Sequence, residues 1–228
     1  MAKLLLIETA TAVCAVALSV DGKIVSVKEE RGQNLHAGSL TLFIDEVVSK
    51  SGLNYNDLDG VSVSKGPGSY TGLRIGVSTA KGLCYALEIP LIAIETLKMM
   101  AAGFLSQNPG YNGFVCPMID ARRMEVYTAV FDSELNLIEP TSAKIIDEDS
   151  FSKLLQSNKI TFLGDGAAKC AETLKHPNAL FVDANFNSAS NMSVLAEDAF
   201  INKTFEDVAY FEPFYLKDFV LTQPKKRI

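Results

Sequence analysis

The sequence predicts an α/β protein in which mixed sheets are covered by helices. Three observations carry this. A short buried apolar run is followed by two alternating segments joined at a tight-turn signal, which together read as a three-stranded meander. Segments of helical periodicity then alternate with short apolar runs, the order of parallel strands with crossover helices. The chain has 228 residues, 48% of them hydrophobic and 21% charged, so it can bury a sizeable core.

The elements follow in chain order. Leu4-Leu5-Leu6-Ile7 is a buried strand. Val13 to Val20 and Lys23 to Val27 are strands joined at Asp21-Gly22, a hairpin signal. A helix runs from about Asn34 to Ser49, because Leu40, Phe43, Ile44, Val47 and Val48 recur at helical spacing and Gly52 follows its end. Leu58 to Ser64 is a strand in which Val61 and Val63 alternate with serines. A second helix runs from about Ser69 to Leu87 and stops before Pro90, and Leu91 to Ile94 is a further strand. The second half is less regular. It reads as a helix over Thr96 to Ser106, strands over Gly113 to Ile119, Glu125 to Phe131 and Leu137 to Lys144, and a helix over Asp149 to Gln156. A strand over Ile160 to Leu163 and helices over Ala167 to Lys175 and Ser190 to Phe200 complete it.

The order strand, strand, strand, helix, strand, helix, strand is similar to the ribonuclease-H-like half of the actin, hexokinase and Hsp70 ATPases. The expected fold is therefore a two-lobed actin-like (ASKHA) α/β architecture. The lobes are expected at residues 1–104 and 105–228, the second being smaller. Likeness of fold does not by itself give function.

The formal net charge is -6, which argues against a nucleic-acid grip by the chain alone. Lys225-Lys226-Arg227 is a small basic patch and reads as a solvated terminus. Cys14, Cys84, Cys116 and Cys170 lie far apart among apolar neighbours and form no C-x-x-C pair. They read as reduced core residues. No secretory signal and no membrane-length apolar run is visible. The expected compartment is the reducing cytoplasm.

Residues 64–83 read SKGPGSYTGLRIGVSTAKGL and hold five of the fifteen glycines. This is not a nucleotide cradle. It matches neither G-x-G-x-x-G nor G-K-[ST], and Pro67 lacks the N–H a phosphate nest would use. Gly72, Gly76 and Gly82 continue into the helix, each at a cost of up to ~1 kcal/mol relative to alanine. Lys81, Arg74, Tyr85 and Ser78 form one narrow polar face. The remaining residues sweep an arc of about 220°, wider than the apolar stripe of an ordinary surface helix. This helix wants cover on two sides, either from a neighbouring helix of the same chain or from a partner chain. Leu42 lies off the apolar stripe of the first helix.

The blocks LLIETATAVCAVAL, KGPGSYTGLRIGVSTAKGL, IPLIAIETL, IDARRMEVYTAVF, LGDGA and EPFYL, spanning residues 4–216, resemble the TsaB family, also called YeaZ. The resemblance implies a non-catalytic paralogue of TsaD, the subunit that transfers threonylcarbamoyl to an adenosine beside the tRNA anticodon. It implies binding to TsaD through the two helices of the first lobe, with the ATPase TsaE joining the pair. It also implies a homodimer through the same helices when TsaD is absent, and only indirect contact with tRNA. The interface is then expected at His36, Leu40, Phe43 and Val47 on the first helix. On the second it is expected at Gly72, Ile75, Gly76, Thr79, Gly82, Leu83 and Ala86. Gly76→Arg is expected to leave the lobe folded and prevent association.

TsaD relatives hold a metal with an H-x-x-x-H pair after a strand similar to Leu91 to Ile94. Thr96 and Met100 occupy those positions here, and neither suits a hard or borderline metal. Actin-like ATPases place an acidic residue, a glycine and a small hydroxyl residue in the first turn. Here it reads Glu8-Thr9-Ala10-Thr11, with a Cβ where close approach to phosphate favours none. No cofactor of its own is expected, and any nucleotide would be shared with TsaD and TsaE. Asp120, Arg122 and Arg123 form a charged cluster after a strand, either an anion contact or a salt bridge bracing the hinge. Competing functions are an independent actin-like ATPase or small kinase, a protease, and a homodimeric interaction module in another process.

Overall fold

The computed structural model describes residues 1–32 and 34–217. The basic patch at 225–227 lies outside the described residues. Leu4 to Ile7 are fully buried, each worth about 1.5–3 kcal/mol against exposure. They form the centre of β1 (Lys3–Glu8), which is covered on both faces. β2 (Val13–Val20) and β3 (Lys23–Arg31) complete the meander. Asp21 (φ 49°) and Gly22 (φ 71°) are both left-handed at its turn, as a two-residue hairpin of matching twist requires. α1 (Leu35–Ser51) ends at Gly52 (φ 75°), β4 is Gly60–Gly66, and α2 (Tyr70–Leu87) begins where the Ser69 hydroxyl accepts from the Gly72 N–H. β5 is Leu91–Glu95 and α3 is Thr96–Gln107.

The second half repeats the plan. β6 (Phe114–Asp120), β7 (Glu125–Phe131) and β8 (Leu137–Ile145) form an antiparallel meander. α4 (Ser152–Leu155), β9 (Ile160–Leu163) and β10 (Ala179–Val182) follow. The first sheet has the order β3-β2-β1-β4-β5 and the second β8-β7-β6-β9-β10. In each, the fourth and fifth strands of the half run parallel to the first. The two lobes are topological duplicates, although no sequence identity between them is visible.

Three expectations are corrected. The helix expected over 167–175 is a single 3-10 turn, Ala168–Cys170, because Pro177 opposes a helix running into His176 and so short a segment does not sustain one. The helix expected over 149–156 shrinks to α4, since Phe151 is left-handed (φ 62°) at its start. β10 was not anticipated at all. The last helix begins as a 3-10 turn (Ala189–Met192) and continues as α5 (Ser193–Ile201).

Leu5, Ile7, Val16, Val61 and Val63 bury one face of the first sheet under α1 and α2. The opposite face, with Leu4, Leu6, Ala15 and Ile92, shares one core with α3, α5 and Val115, Ile119, Phe131 and Leu163 of the second sheet. The outer face of the second sheet forms a third cluster around Met118, Val130, Phe151 and Phe162. The 104/105 boundary falls inside α3. Beyond α5 the chain returns to the first lobe, where Glu206 N–H donates to Leu91 O at 2.9 Å and Phe214 N–H to Lys65 O at 2.7 Å. The four cysteines are free and buried. Among the described residues no helix is long and apolar enough to cross a membrane.

Candidate partner-binding face and the ends of the first strands

The glycine-rich stretch packs against its own chain. The turn between β1 and β2 lies over the start of α2. Ser69 N–H donates to Ala10 O at 2.6 Å, and the Thr9 hydroxyl donates to Gly72 O at 2.8 Å. A Cβ on Gly68 would overlap the Ala10 carbonyl, one on Gly72 the Thr9 carbonyl, and one on Gly76 the Thr9 hydroxyl. These glycines exist so that turn and helix can touch. This corrects the expectation that Gly72 and Gly76 open α2 to another helix. Gly76→Arg would disrupt the lobe itself.

The first-helix expectations are corrected likewise. Leu40, Phe43 and Val47 are buried against the sheet within this chain. His36 is buried with Nε2 bonded to Val13 O at 3.1 Å, which satisfies it as a structural residue. What stays accessible on α2 is a strip of Ile75, Thr79 and Leu83, half-buried, and Gly82 and Ala86, exposed. A Cβ on Gly82 would meet nothing within 4 Å. Leu42 is 66% exposed on α1. The strip is small-featured and open, which suits close approach of a second backbone.

Glu8 ends β1 and is fully buried. Ile7 pairs with Val63 in parallel register, so Glu8 stands beside Ser64. Burial pushes the Glu8 carboxyl up to about 7, opposed by the Ala10 N–H and the Ser64 hydroxyl. Ala10 N–H donates to Oε1 at 2.5 Å, and Oε2 has no hydrogen-bond partner. Thr96 and Met100, at the family's metal-ligand positions, are both fully buried, Met100 inside the apolar core. A thioether and a single hydroxyl do not fit that metal. Among the described residues no three His, Cys, Asp or Glu side chains gather as a metal site.

Asp120 ends β6, the place in the second lobe that Glu8 holds in the first. Its Oδ1 accepts from the Arg122 N–H at 2.8 Å and from Lys169 Nζ, which also donates to Glu125 O at 2.8 Å. Burial pushes the Asp120 carboxyl up, and Lys169 with the Arg122 N–H more than offsets this, leaving it below its ordinary value. Asp120 N–H donates to Asp165 Oδ1 at 3.1 Å. Burial raises the Asp165 carboxyl, and the Arg31 charge opposes it. The brace at this corner is therefore Asp120–Lys169, a pair the sequence reading missed, although Lys169 lies two residues after the LGDGA block ends at Ala167. Arg122 (φ 73°) and Arg123 (φ 50°) are exposed and left-handed. Neither makes an ion pair among the described residues.

Two duplicated sheets of this strand order, sharing one core between them, define an actin-like α/β fold. An activator of 2-hydroxyisocaproyl-CoA dehydratase from Clostridium difficile has the same fold at TM-score 0.50 and 10% identity, over 90% of this chain and 98% of that one. The sequence profile of the family described as "TsaD: tRNA N6-adenosine threonylcarbamoyltransferase" matches residues 27–222. The Escherichia coli K12 tRNA threonylcarbamoyladenosine biosynthesis protein TsaB is 31% identical over 222 residues, covering 95% of each chain. A Pseudomonas aeruginosa structure described as similar to peptidase YeaZ superposes at TM-score 0.83 with 24% identity, over 95% of this chain and all of that one. The chain belongs to the TsaB family.

Proposed function

We propose that this chain is a non-catalytic scaffold in tRNA threonylcarbamoyladenosine synthesis. It binds a TsaD-type transferase through α2 and the neighbouring surface of α1, with a TsaE-type ATPase joining the pair in the cytoplasm. The observation that carries this is the packing of Gly68, Gly72 and Gly76 under the 9–10 turn. It spends the loop that an actin-like ATPase keeps for phosphate on internal contacts, while leaving Gly82 and Ala86 open outside. Family membership supplies the pathway. Any nucleotide would be shared with the partners, tRNA contact would be indirect, and without TsaD the same strip would pair two copies.

The rival readings have less support. An independent ATPase or kinase would need the first turn to approach a phosphate, and Ala10 O is instead bonded to Ser69 N–H. A serine peptidase needs a histidine beside its nucleophile. His36 is tied to Val13 O, and His176 lies on the second lobe with Nδ1 accepting from Asn178 N–H at 3.1 Å.

The test is sedimentation of the chain alone and mixed with the TsaD-type subunit of the same organism. A 1:1 complex formed at the expense of self-association is expected, and Gly82→Arg should abolish it. A chain that ignores the transferase while hydrolysing ATP alone would return the reading to the ATPase.

A further inference from the structure

Arg74, Ser78 and Lys81 belong to the polar face of α2, beside the strip assigned to the partner and not part of it. Arg74 and Lys81 are seven residues apart and so project within about 20° of each other around the helix. The returning C-terminal segment runs alongside. Lys81 Nζ donates to Ala209 O at 3.1 Å and Phe211 O at 3.0 Å, which fixes the segment against the helix. Farther along, the Tyr215 ring packs 4.8 Å from Tyr70. The Arg74 guanidinium lies 5.5 Å over the Tyr70 ring and donates to its hydroxyl at 3.1 Å. Helix and segment flank a pocket of about 460 Å³ that is open to solvent, lined by these groups with Phe211 and Glu212.

This pocket is unusual for the chain that holds it. The protein carries a net charge of -6, yet neither Arg74 nor Lys81 has a carboxylate within ion-pair distance among the described residues, Glu212 included. Tyr70 and Tyr215 line it. Tyr210, 85% exposed, follows Ala209, and Tyr85, 83% exposed, lies one turn beyond Lys81. These are four of the seven tyrosines in the chain. Tyrosine and arginine are the residues that dominate protein–protein hot spots. Arginine over an aromatic face, with its fork open, is suited to clasp a carboxylate in two bonds. A nucleic-acid backbone fits less well, because an extended run of phosphates needs a broad basic surface and the chain as a whole carries a net charge of -6.

We propose that this pocket seats an acidic side chain of the TsaD-type partner, with an apolar neighbour of that side chain resting on the tyrosines. The proposal rests on the partner reading above and adds to it a second, charge-selective anchor beside the small-residue strip of α2. The carboxylate meets Arg74, and Lys81 contributes its charge while holding the segment in place. The small-residue strip then gives close packing, and the pocket gives orientation.

The test uses the full chain and the TsaD-type subunit of the same organism. Association is measured for wild type, Arg74→Lys, Arg74→Glu and Gly82→Arg at about 0.1 M and about 0.5 M salt, after circular dichroism shows each variant folded. Arg74→Glu is expected to weaken association by about tenfold or more and to bind no more weakly at the higher salt, which then screens a like-charge contact, with Arg74→Lys between it and wild type. If Gly82→Arg loses association while Arg74→Glu binds as wild type, the pocket proposal is overturned and the partner reading stands. If wild type does not bind the transferase, both fall together. A gel shift of tRNA by the chain alone that disappears in Arg74→Glu would make the occupant RNA and overturn the acidic-side-chain assignment.

Discussion

The Thr9 hydroxyl donates to the carbonyl oxygen of Gly72 at 2.8 Å, across 63 residues of chain. This bond ties the first turn of the sheet to the start of α2, and it requires glycine beneath it. Gly76→Ala is therefore expected to destabilise the protein by about 1–3 kcal/mol, the range for adding a methyl to a packed interior. Gly82→Ala, on the same helix with open space around it, is expected to stabilise by up to about 1 kcal/mol. Urea midpoints of the two variants decide the matter. Equal shifts in one direction would mean that the turn does not press on the helix.

The buried Glu8 gives stability a pH dependence of definite sign. Its carboxyl is raised from 4.5 to about 7 by burial, so the folded protein holds that proton more tightly than the unfolded chain. The resulting stability is fully present below 4.5 and is lost as pH rises through about 7. At about 1.4 kcal/mol per pK unit the loss is on the order of 3 kcal/mol. Glu8→Gln cannot ionise, so the difference in stability between variant and wild type should move in the variant's favour as pH rises from about 5 to about 8. A difference that stays constant over that window would show that Glu8 titrates as an ordinary carboxyl.

The cysteines should be inert in the native state. Burial pushes the Cys14 thiol up to about 11 and the Cys84 and Cys116 thiols to about 12, and the thiolate is the reactive form. Native protein at about pH 8 is expected to resist iodoacetamide for hours and to take up the label on all four cysteines once unfolded in guanidinium. Rapid native labelling of any of them would place that thiol on an opening segment.

Features set by neighbours in sequence were legible before the structure. The hairpin at Asp21-Gly22, the stop at Gly52 and the Ser69 cap are local, and each sits where the sequence puts it. Features set by distant contacts were not. A helical wheel places Gly72 and Gly76 on the small face of α2, but it cannot see that the turn at Thr9, more than sixty residues earlier in the chain, occupies that face. Ala179–Val182 is too short to announce itself, and becomes a strand because β9 offers an edge in parallel register. The Asp120–Lys169 pair joins the end of β6 to the 3-10 turn Ala168–Cys170, 49 residues apart. The cluster at 120–123 was visible as charge, but the cation that binds Asp120 was not one of its arginines.

Those arginines carry the last prediction. Arg122 and Arg123 both hold a left-handed backbone in the turn after β6, a conformation that costs a non-glycine residue about 1 kcal/mol or more. Their side chains return no ion pair among the described residues. Asparagine and glycine are the residues that such a turn favours. Arg122→Asn with Arg123→Gly is therefore expected to raise stability by about 1–2 kcal/mol, read as a higher urea midpoint with an unchanged slope. A fall in stability would mean that the guanidiniums brace the hinge after all. A rise in stability together with weaker threonylcarbamoylation by the assembled complex would mean that the strain is kept for an anionic group that meets the two arginines there. That outcome would put the charged corner of the second lobe to work alongside α2.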